Sequence, residues 1–534
     1  MASHPEALID ALGVESARHE LAGIRRGIEK ESLRVAPDGT LAQTRHPDGL
    51  GSTLTHPHIT TDFSEALLEL ITEPLTSVEA TLTQLEEIHA WVYRQIGDEI
   101  LWAASMPCVI RGEDRIPLGR YGSSNIGVAK TVYRRGLGHR YGRIMQTIAG
   151  IHYNFSVPDS FWQWLADEID WKGDLQTLAT ERYFGLIRNF RRWSWLLMYL
   201  FGASPTVCRS FLAGREHGLE SFDDGSLYLP HATTLRMGSL GYQSDAQASL
   251  QVSYNSLESY ARTLEGALVR PWPAYEKIGL VNDGVFQQLS MSLLQIENEF
   301  YGTIRPKRST LPGERPLHAL GERGVEYVEV RCLDVNPFVP LGIDAETIEF
   351  HDAFLIPCLL ADAPEDSPAE IEALQRNRTA IVERGREPGL ELEQGNRKRT
   401  VADWGSEILD ACTKTAAILD RIHGGDAARR SVDSQRRRIE DPERTPSARV
   451  LARMRERQQP FFRVAMEASE DHARRFRGFE LDPETVTRLT EESRESLAEQ
   501  ARIEAADTVD FATYRRQFVE QPLLPLPQAE SARG

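Results

Sequence analysis

Glu29 and Glu31, in the stretch GIRRGIEKESLRV, sit two positions apart among glycines, arginines and branched apolar residues. On a strand that spacing puts both carboxylates on one face. Like charges side by side weaken a sheet unless something positive lies between them. The pair is therefore either a solvated strand face or part of a cation site. Three more segments offer hard ligands. Asp62 lies just before the apolar run of ITTDFSEALLELIT and Glu69 lies within it, seven residues on. On the helix that this run suggests, that is two turns and a similar face. His152 falls on the polar face of the alternating segment IAGIHYNFSVP, and Glu329 shares a strand face with Tyr327 and Arg331 in YVEVR.

Each residue alone has a plain structural reading. Glu29 could face solvent, Asp62 could cap the helix expected after it, and His152 could be a hydrogen-bonded core residue. Glu329 and Arg331 could be satisfied across the sheet. Glu69 is harder to dismiss, because an unpaired charge in an apolar run is costly if buried. Together, five carboxylates and one imidazole suit a hard divalent ion, Mg²⁺ with Mn²⁺ as a substitute. Such ions complete their shells with phosphate and water rather than a full protein cage. Clustered carboxylates without a cation raise one another's pKa, and a bound cation reverses that. Arginine forks nearby would hold carboxylate or phosphoryl oxygens. The candidates are Arg331, Arg236 in TTLRMGSLGY, and the RPKR run with Arg305, Lys307 and Arg308, which reads equally well as an exposed basic loop. No phosphate-cradling GxxxxGK[ST] is present, since GSSNIGVAKT has the wrong spacing; no GxGxxG follows a strand, and GxSxG and HExxH are absent. Any ATP chemistry would have to run through metals and a sheet.

The elements that must position these residues can be read coarsely. Residues 5 to 22 suggest a short amphipathic helix, SEALLELIT and VEATLTQLEEIHAWVYRQIGDEIL have helical periodicity, and ATERYFGLIRNFRRWSWLLMYLFGAS is an aromatic-rich helix. IAGIHYNFSVP and GVEYVEVRCLDVNPF alternate as strands, whereas TIRPKRSTLPGERPLHALGERG, with three prolines and three glycines, reads as loop. After about residue 345 the pattern is mainly helical, and the Arg/Glu-dense stretch beyond 425 reads as solvated helical faces. The 534 residues carry 61 basic and 79 acidic side chains, a net charge of -18, which weighs against broad nucleic-acid or anionic-membrane binding. Five scattered cysteines without a CxxC pair argue against a disulfide framework or zinc ribbon and favour a reducing, cytoplasmic compartment. WSWLLMYLFGASPTVC is too short for the ~20 apolar residues of a membrane span, and the N-terminus is not built like a signal peptide.

GIRRGIEKESLRV, LGSTLTHPHITTDFSEALLELIT, MQTIAGIHYNFSVP, YLFGASP, QIENEFYGTIRPKR and GVEYVEVRCLDVNPF, in this order, resemble the proteobacterial glutamate–cysteine ligase family over about residues 20 to 430. The last hundred residues depart more from the family pattern. The resemblance implies an α+β fold: a curved antiparallel sheet forming a funnel, glutamine-synthetase-like and surrounded by helices. Residues 1–345 would carry the sheet and 346–534 would be mainly helical, packed on the catalytic part. It implies ATP- and Mg²⁺-dependent formation of γ-glutamylcysteine from glutamate and cysteine through a γ-glutamyl phosphate, with inhibition by glutathione. The implied metal ligands are Glu29, Glu31, Asp62, Glu69, His152 and Glu329; Arg331 and Glu29 are implied to be catalytic. Phe63, Tyr133, Leu137, Gln146 and Ile148 match a cysteine pocket, and Arg236, Tyr242 and Tyr301 match positions that hold substrate carboxylates. Arg305, Lys307 and Arg308 are the nucleotide candidates. The cysteines are then structural, with Cys332 the one closest to the chemistry. The rival readings are a ligase of the same fold with another amine acceptor, an inactive regulatory member, and a Mg²⁺-dependent phosphohydrolase.

Overall fold

A computed structural model describes residues 5–14, 18–240, 250–311 and 313–523. Its central sheet joins β1 (Arg25–Val35), β2 (Ile59–Thr61), β3 (Leu67–Ile71), β4 (Ile100–Leu101), β5 (Ile151–Ser156), β6 (Ile304–Lys307) and β7 (Tyr327–Leu333). The order is β6-β7-β5-β1-β3-β2, with β4 paired to the end of β1, and every pairing is antiparallel. The alternation read for β5 and β7 holds. The run ALLELIT does not form the expected helix: it is β3, between β1 and β2. Leu67, Leu68 and Leu70 are all buried. A strand covered on both faces reads as a continuous apolar run, which local periodicity does not separate from a helix. Asp62 accordingly caps no helix; it sits in the β2–β3 connection, where its N–H donates to the Leu67 carbonyl.

The segment expected to be loop around residues 303–324 contains β6 and a helix, Pro316–Arg323. Its prolines sit where regular structure tolerates them, Pro306 in an edge strand and Pro316 at the first turn of the helix. At the N-terminus, the helix expected over 5–22 covers Pro5–Leu12, with a 3₁₀ turn at Arg18–Leu21.

The helices that support the site are α1 (Val78–Gln95), α2 (Asn125–Tyr141), α3 (Leu175–Phe201), α4 (Ala345–Leu360), α5 (Pro368–Arg384), α6 (Phe461–Arg477), α7 (Pro483–Ala506) and α8 (Phe511–Val519). Ser77, Ser124, Asp174, Asp344 and Ser367 start the first five, each side chain accepting a backbone N–H of the first turn. One face of the sheet, with Ile28, Leu68, Tyr153, Phe155, Val328 and Val330, is buried; α1 packs on β1 and β3, and α3 on β6 and β7. Behind it a buried ion pair ties β1 to α4: Arg26 to Asp352 at 2.8 Å, with the Tyr153 hydroxyl donating to Asp352 at 2.6 Å. The arginine-rich region beyond 425 forms helices that bury Val432, Ile439, Leu451, Met454 and Phe476 and leave most of their charges in solvent. The last described helix, α8, returns to α2, where the Asn125 N–H donates to Asp507 at 2.6 Å and Phe286 meets Phe511 edge to face.

One cysteine expectation is corrected. Cys108 and Cys208, 100 residues apart in sequence, are joined in a disulfide with Cα atoms 5.4 Å apart. Pairing follows proximity in space, which the scattered spacing does not reveal. Cys332, Cys358 and Cys412 are free and buried. Among the described residues, no helix is long and apolar enough to cross a membrane.

Candidate active site

Residues directly opposite one another in a sheet share a face. The register therefore builds the site. Glu29 lies opposite His152, Glu31 opposite Glu69, Asn154 opposite Glu329, and Glu329 opposite Arg305. Adding two-residue steps along each strand puts Glu29, Glu31, Glu69, His152, Asn154, Glu329, Arg331, Arg305 and Lys307 on one face. Asp62 arrives from the β2–β3 connection. The answer to the strand pair Glu29/Glu31 is thus a shared acidic surface and not a solvated edge.

The distances are short. Within this cluster, ligand atoms of Glu29, His152 and Glu329 all lie within 4.8 Å of one another. His152 Nδ1 is 3.0 Å from Glu29 Oε2, and its Nε2 is 3.8 Å from Glu31 Oε1. Asn154 Nδ2 donates to Glu29 at 2.8 Å, and the Gly150 N–H donates to Glu31 Oε2 at 2.6 Å. A Cβ at Gly150 would lie 1.9 Å from the Arg236 guanidinium, so any side chain there would displace that arginine. Glu329 is flanked by Lys307 at 3.1 Å and Arg331 at 3.0 Å, with Arg305 at 4.0 Å.

The electrostatics divide the carboxylates into two groups. Burial pushes Glu31 up to about 8, helped by Asp62. Burial, then Glu29, Asp62 and Glu31, raise Glu69 well above the usual range. For Glu329, burial also favours the neutral acid, but Lys307 and Arg331 outweigh it and hold the carboxyl well below that range. Burial, and then Arg331, push His152 down toward the neutral imidazole. At Glu31 the Arg236 and Arg331 guanidiniums do not offset burial and the neighbouring acid; at Glu329 Lys307 and Arg331 do.

A cavity of about 90 Å³ opens beside this surface. Of the predicted residues, Glu31, Asp62, Phe63, Tyr133, Leu137, Gln146, His152, Arg236, Tyr301, Arg305 and Arg331 line it. Ile148 is fully buried and is not part of the wall. Arg308 points elsewhere, with its Nε 3.8 Å from Glu326. Tyr242 lies outside the described residues. Cys332 is buried and its thiol is pushed up to about 12 by burial, so it is an inert neighbour of the site.

Sequence reasoning missed Arg134, Tyr141, Asn298 and Glu299, which also line the cavity, and Asn154. Two signals were available. Asn154 follows His152 by two on the same strand face, and Tyr141 follows Tyr133 and Leu137 at helical spacing on α2. Glu299 carries a buried pair with Arg140 at 2.8 Å and accepts from the Tyr141 hydroxyl at 2.6 Å, locking α2 to the 288–300 segment. The sequence gives no local sign of that pairing.

The family model for glutamate–cysteine ligase matches residues 9–381. The chain belongs to that family. The glutamate–cysteine ligase of Alcanivorax borkumensis is 51% identical over 519 residues, 96% of this chain and 98% of that one. That of Pseudomonas entomophila is 50% identical over 485 residues, 91% and 92% of the two chains. The crystal structure of the glutamate–cysteine ligase of Francisella tularensis in complex with AMP superposes with a TM-score of 0.88 at 37% identity, covering 93% of this chain and 97% of that one. As a glutamate–cysteine ligase, the protein joins the γ-carboxylate of L-glutamate to the amine of L-cysteine and produces γ-glutamylcysteine, the first step of glutathione biosynthesis.

Proposed function

We propose that the ligation is driven by ATP through a γ-glutamyl phosphate, and that the acidic face of the sheet holds Mg²⁺ while it happens. The observation that carries this reading is the uneven charge of the cluster: burial and neighbouring carboxylates force Glu31 and Glu69 toward the neutral acid, while Arg331 has a buried Nε with no partner. The first feature suits a divalent ion and the second suits a phosphoryl oxygen. A buried, unpartnered Asn154 Oδ1 beside Glu29 adds a hard oxygen. The relative's AMP complex supports adenine-nucleotide use in the family fold.

In this reading Glu29, Glu31, Asp62, Glu69, His152 and Glu329 hold the metal, which when bound supplies positive charge to phosphate oxygens. Arg331, fixed by Glu329, meets the charge that builds up as the γ-carboxylate of glutamate attacks the terminal phosphorus of ATP. Arg305 and Lys307 keep Glu329 ionised and add positive charge near the polyphosphate. Arg236 and Tyr301 hold substrate carboxylates. The cysteine amine then displaces phosphate from the acyl group, in a pocket formed by Phe63, Tyr133, Leu137 and Gln146. Positioning supplies much of that step, and the apolar walls keep water from the acyl phosphate. Glutathione inhibition and a cytoplasmic location belong to the same proposal.

Glutamate labelled with ¹⁸O in its γ-carboxylate tests the intermediate. One labelled oxygen is expected in the released phosphate for each γ-glutamylcysteine formed. Unlabelled phosphate would refute the acyl phosphate.

A further inference from the structure

A second and larger cavity, about 510 Å³, lies between α3, α5 and the edge strand β6. It shares one residue with the active-site cavity, Tyr301. Three arginines reach it. Arg191 pairs with Asp366, and Arg376 pairs with Glu393 at 2.8 Å. Arg378 pairs with no carboxylate among the described residues, and its Nε is buried without a hydrogen-bond partner. Burial works against its charge, the Tyr301 phenol supports it, and Arg191 opposes it. An arginine set into a cavity wall without an anion is an open half of a charge-assisted pair.

The backbone offers a second feature. The Arg331 N–H donates to the Thr303 carbonyl, and Ile304 lies opposite Val330. In an antiparallel ladder that makes Ile304 a residue of a non-hydrogen-bonded pair, so its own N–H and C=O point toward the free edge of β6. Gly302, Thr303 and Ile304 line the cavity along that edge, with Tyr254 and Phe300 as aromatic walls. Backbone groups at a strand edge beside a cation recognise an extended peptide that ends in a carboxylate. The volume is in the ordinary range of a small-molecule site.

We propose that this cavity is a second binding site, separate from the catalytic pocket except at Tyr301, for a short peptide whose free C-terminal carboxylate meets Arg378. The site does not depend on the reading of the metal face or of the acyl phosphate.

The test is direct binding by calorimetric titration of the full chain with N-acetylglycylglycine. This probe has an amide backbone and a carboxylate but no amine, thiol or γ-glutamyl group to draw it into the ligase reaction. Saturable binding is expected, weakened about tenfold or more when the C-terminus is amidated, as loss of a charge-assisted hydrogen bond requires. Arg378→Ala should show the same loss and Arg378→Lys a smaller one, with thermal melting confirming that both variants are folded. The amidated probe on the unaltered protein keeps the test intact should a variant fail to fold. No saturable binding, or equal binding of the acid and amide forms, would overturn the proposal.

Discussion

Filling the acidic face with Mg²⁺ should expel protons, and Glu31 sets the part of the release that can be worked out. With its carboxyl at about 8, Glu31 holds about nine-tenths of a proton at pH 7 by simple titration. Glu69, raised well above the usual range by burial and three neighbouring carboxylates, adds to the protons to be released. Glu329, kept ionised by Lys307 and Arg331, releases none. Ligands must be deprotonated to bind, so Glu31 alone should release about nine-tenths of a proton per site filled at pH 7, with Glu69 adding to it, and the release should fall as pH rises and Glu31 ionises on its own. Titration calorimetry in buffers of different ionisation enthalpy reads the number as a slope. Glu31→Gln should lower it by about one. A net release near zero at pH 7, or no change in Glu31→Gln, would refute the assignment of these carboxylates as a cation site. A stability corollary has a definite sign. Native Glu31 binds a proton more tightly than its unfolded form, between its ordinary value of 4.5 and about 8. The metal-free protein therefore loses stability as pH rises through that window, and Mg²⁺ restores it.

Three further outcomes follow from other parts of the molecule. Phe63 and Leu137 line the cavity, and in the proposed acceptor pocket they would separate cysteine from near-isosteres by size and shape. That pocket should therefore accept 2-aminobutyrate with kcat/KM lower by only ~10–200-fold, and strict rejection in steady-state assays would contradict a size-based pocket. Asp352→Ala leaves Arg26, 1% exposed, without its carboxylate, so denaturant unfolding should show a loss of about 3–5 kcal/mol, and a loss below about 1 would contradict a buried pair. Truncation after Ala506 removes Asp507 and α8 from α2, which carries Tyr133 and Leu137. It should raise KM for cysteine more than KM for glutamate, and an equal change in both would show that the arm does not act on the acceptor wall.

What the sequence reveals about this protein is mostly what period-two alternation and ligand chemistry can express. His152, Glu329 and Arg331 stand on strands whose polar and apolar positions alternate, so the face each takes on its own strand was legible, while the pairing that joins the two strands was not. Glu69 was singled out because an acid stands in an apolar run, but it was placed on the wrong element: it joins the acidic face from β3. A strand buried on both faces carries no alternation, so β3 looks helical until β1 and β2 are seen on either side. The Cys108–Cys208 bond and the Arg140–Glu299 pair join segments 100 and 159 residues apart, and no local pattern encodes such partners. Arg134 and Asn298 were missed for a related reason. Arg134 enters the wall by donating to the Asp62 carbonyl, and Asn298 by lying in the 288–300 segment that the network around Glu299 pins to α2.

ADP release with Mg²⁺ and glutamate, measured with and without cysteine while the product is followed by mass, tests the central claim most directly. The account predicts turnover that depends on cysteine, with one ADP formed for each γ-glutamylcysteine. ATP hydrolysis indifferent to cysteine, or γ-glutamylcysteine formed without ADP, would contradict it.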